Sequence, residues 1–181
     1  MNKSITTKAG DEGTTRLFSG EEVLKDSPRT VAYGDIDELG SLLGVARAHA
    51  QYPGISSALV EIQRSLFTVA AELATTEEQV KKLARRVDNE MVRELDQCRE
   101  AMEKAVQVPD GFVIPGGTIG AAHIDHARTV ARRCERRVVA LMRDGHVKNI
   151  NVLIWFNRLS DYLWLLARHE EGESVMLKDA K

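Results

Sequence analysis

Cysteine and proline are scarce in this chain of 181 residues, and basic charge is not in excess. Only Cys98 and Cys134 carry thiols, with no CxxC pair and no Cys/His cluster at metal-ligand spacing. That excludes a disulfide framework and a structural zinc site. Both thiols fall on apolar helical positions, so both are expected to be buried and free, in a reducing compartment. The net charge is −2, so no overall basic field points to nucleic acid. No apolar run approaches the ~18 residues of a membrane span. The start, Met1-Asn2-Lys3-Ser4, lacks the apolar core of a secretory signal. A cytoplasmic protein that engages neither membrane nor nucleic acid is expected. Glu-x-x-His pairs are absent, which disfavours a di-iron bundle. No internal repeat or low-complexity segment is visible.

The four prolines, Pro28, Pro53, Pro109 and Pro115, read as boundaries between helices. Between them the apolar residues recur at steps of three and four, the helical period. Ala32, Ile36, Leu39, Leu43 and Ala46 form one seam; Leu59, Ile62, Leu66, Val69 and Leu73 form a second. Met91, Leu95, Cys98, Met102 and Ala105 form a third, and Ile124, Ala127, Ala131, Cys134, Val138 and Leu141 a fourth. The fifth is expected to run through Ile150, Leu153, Asn157, Trp164 and Leu165. Five long amphipathic helices with near-heptad seams pack at shallow angles as a bundle. The sequence therefore reads as one domain over 1–181, all-α, with a helical bundle over 28–175 after a non-helical segment 1–27. Residues 108–118 also lack a helical pattern. Residues 76–90 are charged with a sparse seam, and are expected to hold an exposed helix start or a short extra helix.

Against this ordinary background one stretch stands out. Residues 128–137 hold five arginines and one glutamate. Arg128, Arg132 and Arg136 recur at i, i+4, i+8 and share a face beside the apolar seam. Such a row can hold a polyphosphate; equally, it can be a solvated face with intrahelical Arg–Glu pairs. A second segment, Thr6 to Arg16, has two glycines, four threonines and Lys8 in eleven residues. Glycines let backbone N–H groups approach phosphates, and hydroxyls and Lys8 add donors. No Gly-Lys-Ser/Thr follows, so it is not a Walker A loop.

Three further segments carry chemistry with a plainer alternative. Asp35, Asp37 and Glu38 sit on the first helix; they favour the helix dipole, or one of them pairs with an arginine across a helix or subunit contact. Phe112, in Gly111-Phe112-Val113-Ile114-Pro115-Gly116-Gly117-Thr118, is a core residue or a wedge against a flat ligand. Asn157, with Arg158 adjacent and Asp161 one turn on, sets register in the bundle or orients a ligand.

Taken together these segments resemble the PduO-type ATP:cob(I)alamin adenosyltransferases. The blocks are Thr7-Lys8-Ala9-Gly10-Asp11-Glu12-Gly13, Ala32 to Leu39, Pro115-Gly116-Gly117-Thr118, Arg128 to Arg136 and Asn157 to Leu163. They stand in the family's order and span nearly the whole chain. Gly40, Cys134 and Trp155 depart from residues commoner in the family.

The resemblance implies a five-helix bundle with ferritin-like up-down packing, assembled as a homotrimer with sites at subunit contacts. It implies transfer of the 5′-deoxyadenosyl group of ATP to the cobalt of cob(I)alamin, with triphosphate released and adenosylcobalamin formed. The alternative is a non-catalytic carrier of adenosylcobalamin. ATP would meet Thr7, Lys8, Ala9, Gly10, Thr15, Arg16 and Lys25 of the N-terminal segment. Arg132, Arg133, Glu135, Arg136 and Asn157 would complete that site. Mg²⁺ would arrive on the phosphates, with protein ligands unassigned. Arg132, Phe112 and Asn157 would serve the reaction, and Phe112 and Asp161 would face cobalamin. Arg128 would pair with Asp37 across the trimer contact, with Asp35 as second choice. A flavoprotein reductase and a B12-dependent enzyme are the partners such chemistry implies.

Overall fold

The computed structural model describes Thr6 and residues 8–179. Thr7, one of the expected ATP ligands, lies outside the described residues. Five helices dominate: α1 (Pro28–His49), α2 (Pro53–Leu73), α3 (Asn89–Ala105), α4 (Ile119–Arg143) and α5 (Ile150–Glu171). Their starts follow local chemistry. Pro28 and Pro53 occupy first-turn positions, where the missing N–H costs nothing. The side chains of Ser27, Asp88, Thr118 and Asn149 accept from backbone N–H groups of Thr30, Met91, Ala121 and Asn151. Each such cap contributes about 1 kcal/mol.

Cross-helix contacts fix the directions. Gln63 Nε2 donates to Gly40 O at 2.8 Å, and Arg29 Nη1 to Leu73 O at 2.8 Å, so α1 and α2 run antiparallel. Arg137 meets Asp35 at 3.2 Å, while His49 stacks on His123 at 5.7 Å, so α4 runs against α1. Asn157 meets Glu135, and Arg168 meets Asp125, so α5 runs against α4. Asn149 reaches Val87 O and Arg158 reaches Asp96, so α3 and α5 run alike. The result is up-down-up-down-up, as expected.

The seams of α1, α2 and α4 are buried as the periodicity requires. On α5 the expected seam is displaced: Ile150 and Asn157 are exposed, and Val152, Trp155, Phe156, Leu159, Leu163 and Leu166 lie inside. This helix packs on both α4 and α3 and needs an apolar arc wider than one heptad stripe; the Trp155 and Phe156 rings meet edge-on at its centre, 5.3 Å apart. The outer half of α3 is peripheral. Cys98 is therefore exposed rather than buried, whereas Cys134 lies in the core, where burial pushes its thiol up to about 12.

Between α2 and α3 the expected short extra helix is a single 3-10 turn, Val80–Lys82. The buried Glu72 carboxylate organises the segment after it, meeting Arg86 at 2.8 Å, Val87 N at 2.8 Å and Asn149 Nδ2 at 2.9 Å. Arg29 does similar work, its buried guanidinium donating to Leu73 O and His146 O and so tying the start of α1 to the ends of α2 and α4. Desolvation lowers its pKa.

Two small ribbons occupy opposite ends of the bundle. At the end where α1 starts, β1 (Thr14–Arg16) pairs antiparallel with β2 (Glu22–Leu24). Leu17 is buried, Phe18 N donates to Ala74 O at 2.8 Å, and Ser19 and Glu21 bind Thr76. At the other end β3 (Val113–Ile114) pairs with β4 (Val175–Met176). The helical part thus ends at Glu171, and residues 175–176 are strand, not the bundle's last helical turn.

Candidate functional site

Two classes of arginine emerge on α4. Arg133 and Arg137 turn toward α1, where Asp35 receives both at 3.4 and 3.2 Å, and Glu38 also pairs with Arg133. The expected ATP ligand Arg133 is thus engaged by carboxylates. Arg132 and Arg136 are exposed and form no ion pair among the described residues; Arg136 Nη1 donates only to Arg132 O, at 3.0 Å. Intrahelical Arg–Glu pairing, the plain reading of this row, does not occur with Glu135. That carboxylate instead accepts from Asn157 Nδ2 at 3.3 Å. Asn157 Oδ1 accepts from Arg158 Nη1 at 2.9 Å, and Arg158 is anchored on Asp96 at 3.0 Å. The amide of Asn157 is thereby oriented at the surface, with Asp161 exposed one turn further along. Two free guanidinium groups beside an oriented amide form a surface that can take an anion and a polar ring.

The N-terminal loop is closed by its own backbone hydrogen bonds. Asp11 N donates to Lys8 O at 3.3 Å, Gly13 N to Gly10 O at 3.2 Å, and Lys25 N to Gly13 O at 2.9 Å. Lys8 and Gly13 have φ of 59° and 85°, the left-handed conformation from which backbone nests are built. Lys25 folds over Gly10; a side-chain carbon there would sit 2.9 Å from its Nζ. Lys8, Gly10 and Lys25 are therefore neighbours, with Ala9 between the first two. Thr15 and Arg16 follow on β1, Thr15 half-buried and Arg16 exposed.

Phe112 is 82% exposed, so it is not a core residue. It projects from the loop before β3, at the end of the bundle away from the N-terminal loop. Arg128, half-buried, pairs with Asp125 in its own helix at 3.1 Å. Asp37 is exposed and lines a groove of about 580 Å³ between α1 and α2, beside the 79% exposed Phe67. Among the described residues no group of three or more His, Cys, Asp or Glu could hold a metal. Sequence reasoning missed the buried Asp125, Arg168 and Glu171, whose only signal was charge on otherwise apolar faces. No helix among the described residues is long and apolar enough to cross a membrane.

A model of the cobalamin adenosyltransferase family matches residues 5–170. The chain is 37% identical over 171 residues to the corrinoid adenosyltransferase PduO of Salmonella typhimurium, covering 94% of this chain but 51% of that protein. It thus spans about half the length of that relative. It is 40% identical over 169 residues to the corrinoid adenosyltransferase of Bacillus subtilis, covering 91% of this chain and 84% of that one. Among solved structures, a variant PduO-type ATP:corrinoid adenosyltransferase from Lactobacillus reuteri, complexed with cobalamin and ATP, superposes with a TM-score of 0.89. It is 33% identical, covering 98% of both chains. By sequence and by structure, this chain belongs to the cobalamin adenosyltransferase family.

Proposed function

We propose that this chain transfers the 5′-deoxyadenosyl group of ATP to the cobalt of cob(I)alamin, releasing triphosphate and forming adenosylcobalamin. The observation that carries this reading is the pair Arg132 and Arg136, held free of carboxylates beside the oriented Asn157. Cob(I)alamin is itself the nucleophile, so the protein needs neither a nucleophilic side chain nor a general base. Cobalt donates its electron pair to C5′, the C5′–O5′ bond breaks, and the bonding pair leaves on triphosphate. The protein's tasks are alignment and stabilisation of that departing charge. Arg132, Arg136, Lys8, Lys25, Thr15 and Arg16 are the donors. Arg133, engaged with α1, keeps the helix in place rather than binding phosphate. Glu135 and Asn157 hold the nucleoside, and Asp161 faces the corrin. Mg²⁺ would be carried by the phosphates and lower their charge.

Geometry supports a site shared between chains, as a homotrimer with head-to-tail contacts would provide. The phosphate loop and Phe112 sit at opposite ends of α1, whose 22 residues span roughly 33 Å. That is a long span for one nucleotide stacked on a corrin, which supports a site built from the N-terminal loop of one chain and the arginine helix of its neighbour. The groove holding Asp37 and Phe67 is where a second copy would cover apolar surface. There Asp37 of one copy would join the Arg128–Asp125 pair of another.

Phe112 would press on the lower face of the corrin and exclude the axial ligand, easing reduction of Co(II) to Co(I) by a one-electron donor such as a reduced flavoprotein. The domain 1–181 would thus be one catalytic unit, in the cytoplasm with its two free thiols reduced, serving a B12-dependent enzyme.

The test is to mix protein, ATP, Mg²⁺ and an excess of chemically reduced cobalamin. Many Co–C bonds formed per chain, read by absorbance and matched by triphosphate, support the reading. Stoichiometric uptake of adenosylcobalamin without triphosphate would mean a carrier instead.

A further inference from the structure

The Phe112 side chain is almost wholly exposed, yet its backbone is tied from a distant part of the chain. Leu177 N donates to Phe112 O at 2.9 Å, and Val113 and Ile114 pair with Met176 and Val175. Gly111, with φ of 128°, lies against Met176; a side-chain carbon there would be 3.3 Å from Cε of that residue. The strand is itself anchored. Ser174 Oγ meets Glu171 Oε1 at 2.5 Å, and Glu171 is held by Arg168 at 2.6 Å. Arg168 reaches Asp125 at 2.5 Å, and Asp125 holds Arg128. A continuous polar chain therefore runs from the arginine helix to the start of β4, the strand that pairs with the two residues after Phe112.

We propose that β4 and Leu177 are a positioning element for Phe112, anchored through Ser174, Glu171 and Arg168. The inference rests on the proposed role of Phe112 at the lower face of the corrin. An exposed aromatic on a free loop would lie down on nearby apolar surface, because burial is favourable and the loop has little to resist it. Pinning its carbonyl and the two residues after it keeps the ring standing. Placement matters most for the step in which one electron from an external donor, such as a reduced flavin, converts Co(II) to Co(I). Once cobalt is Co(I), it has little affinity for a lower ligand and little need of Phe112.

The test uses Leu177→Pro and Leu177→Ala. Leu177 opens the 3-10 turn Leu177–Asp179, where proline's fixed φ fits. Proline removes the N–H that binds Phe112 O; alanine keeps it. With Co(II) substrate and reduced flavin, Leu177→Pro should lose about fivefold in rate, the effect of one neutral hydrogen bond. With chemically prepared Co(I) it should stay near the parent rate. Electron paramagnetic resonance of bound Co(II)balamin with ATP should show a larger fraction with axial nitrogen splitting. Leu177→Ala should match the parent throughout. Combined with Phe112→Ala, the proline should add no further loss. Equal losses in both assays, or no loss in either, would overturn the positioning role. Phe112→Ala alone is the control: if it fails to separate the two assays, the role of Phe112 itself falls and the positioning claim with it.

Discussion

Replacing Arg132 by alanine should damage adenosyl transfer and leave the fold alone. The structure sets both magnitudes. The guanidinium of Arg132 is exposed and without a carboxylate partner among the described residues, while its backbone oxygen, which Arg136 uses, survives the change. Stability should therefore change by no more than about 0.5 kcal/mol. A hydrogen bond to a charged group is worth ~1.5–3 kcal/mol, so kcat/KM should fall roughly ten- to 150-fold. Arg133→Ala is the contrasting case on the same helix. It leaves Asp35, whose side chain is 15% exposed, with Arg137 alone. It should cost up to about 1 kcal/mol in stability and little in rate. Thermal melts and steady-state kinetics with chemically reduced cobalamin separate the two. Should Arg133→Ala abolish turnover while Arg132→Ala keeps it, the division of the arginines into leaving-group donors and helix anchors is wrong.

Other perturbations bear on different parts. Gly10→Val would force a branched side chain onto Lys25; ATP affinity by calorimetry should fall with the melting temperature unchanged, and unaltered affinity would remove this loop from the site. Asp37→Asn should weaken trimer assembly in sedimentation velocity, because it removes the charge by which one copy would meet the Arg128–Asp125 pair of the next; an unchanged profile would dispose of the pairing. Alkaline stability follows from two buried acids. Burial raises the Cys134 thiol from 9.0 and the Tyr162 hydroxyl from 10.0, each to about 12. The unfolded chain releases these protons first, so the stability they contribute is intact below about pH 9 and lost between 9 and 12. Urea midpoints should decline over that window; a flat profile to pH 11 would contradict the burial argument.

Much of this architecture was legible in the order of residues. Seams at three- and four-residue steps located α1, α2 and α4, because each buries a single stripe. The α5 seam departs from the simple period because a helix packed on two neighbours buries residues on more than one stripe, and Asn157 lies outside. Exposure of Cys98 was invisible for a related reason: a heptad position is buried only where a partner helix covers it. Which arginines are free could not be read from spacing alone. Arg132 and Arg133 are adjacent in sequence and lie about 100° apart on the helix, and only the position of Asp35 on α1 decides their fates. The two-residue strand at Val175–Met176 carries no periodic signal, so the support of Phe112 emerged from the fold.

In the proposed reaction cobalt is alkylated at a site built by the N-terminal loop of one chain and the arginine helix of another. The direct measurement is complementation by co-expression of two impaired variants, Arg132→Ala and Gly10→Val, followed by assay of mixed trimers with Co(I) substrate. Head-to-tail contacts allow one intact loop to meet one intact arginine helix, so about a quarter of sites should regain full activity in a random mixture. Mixed trimers no more active than either parent would contradict the shared site, since one chain would then have to supply both halves.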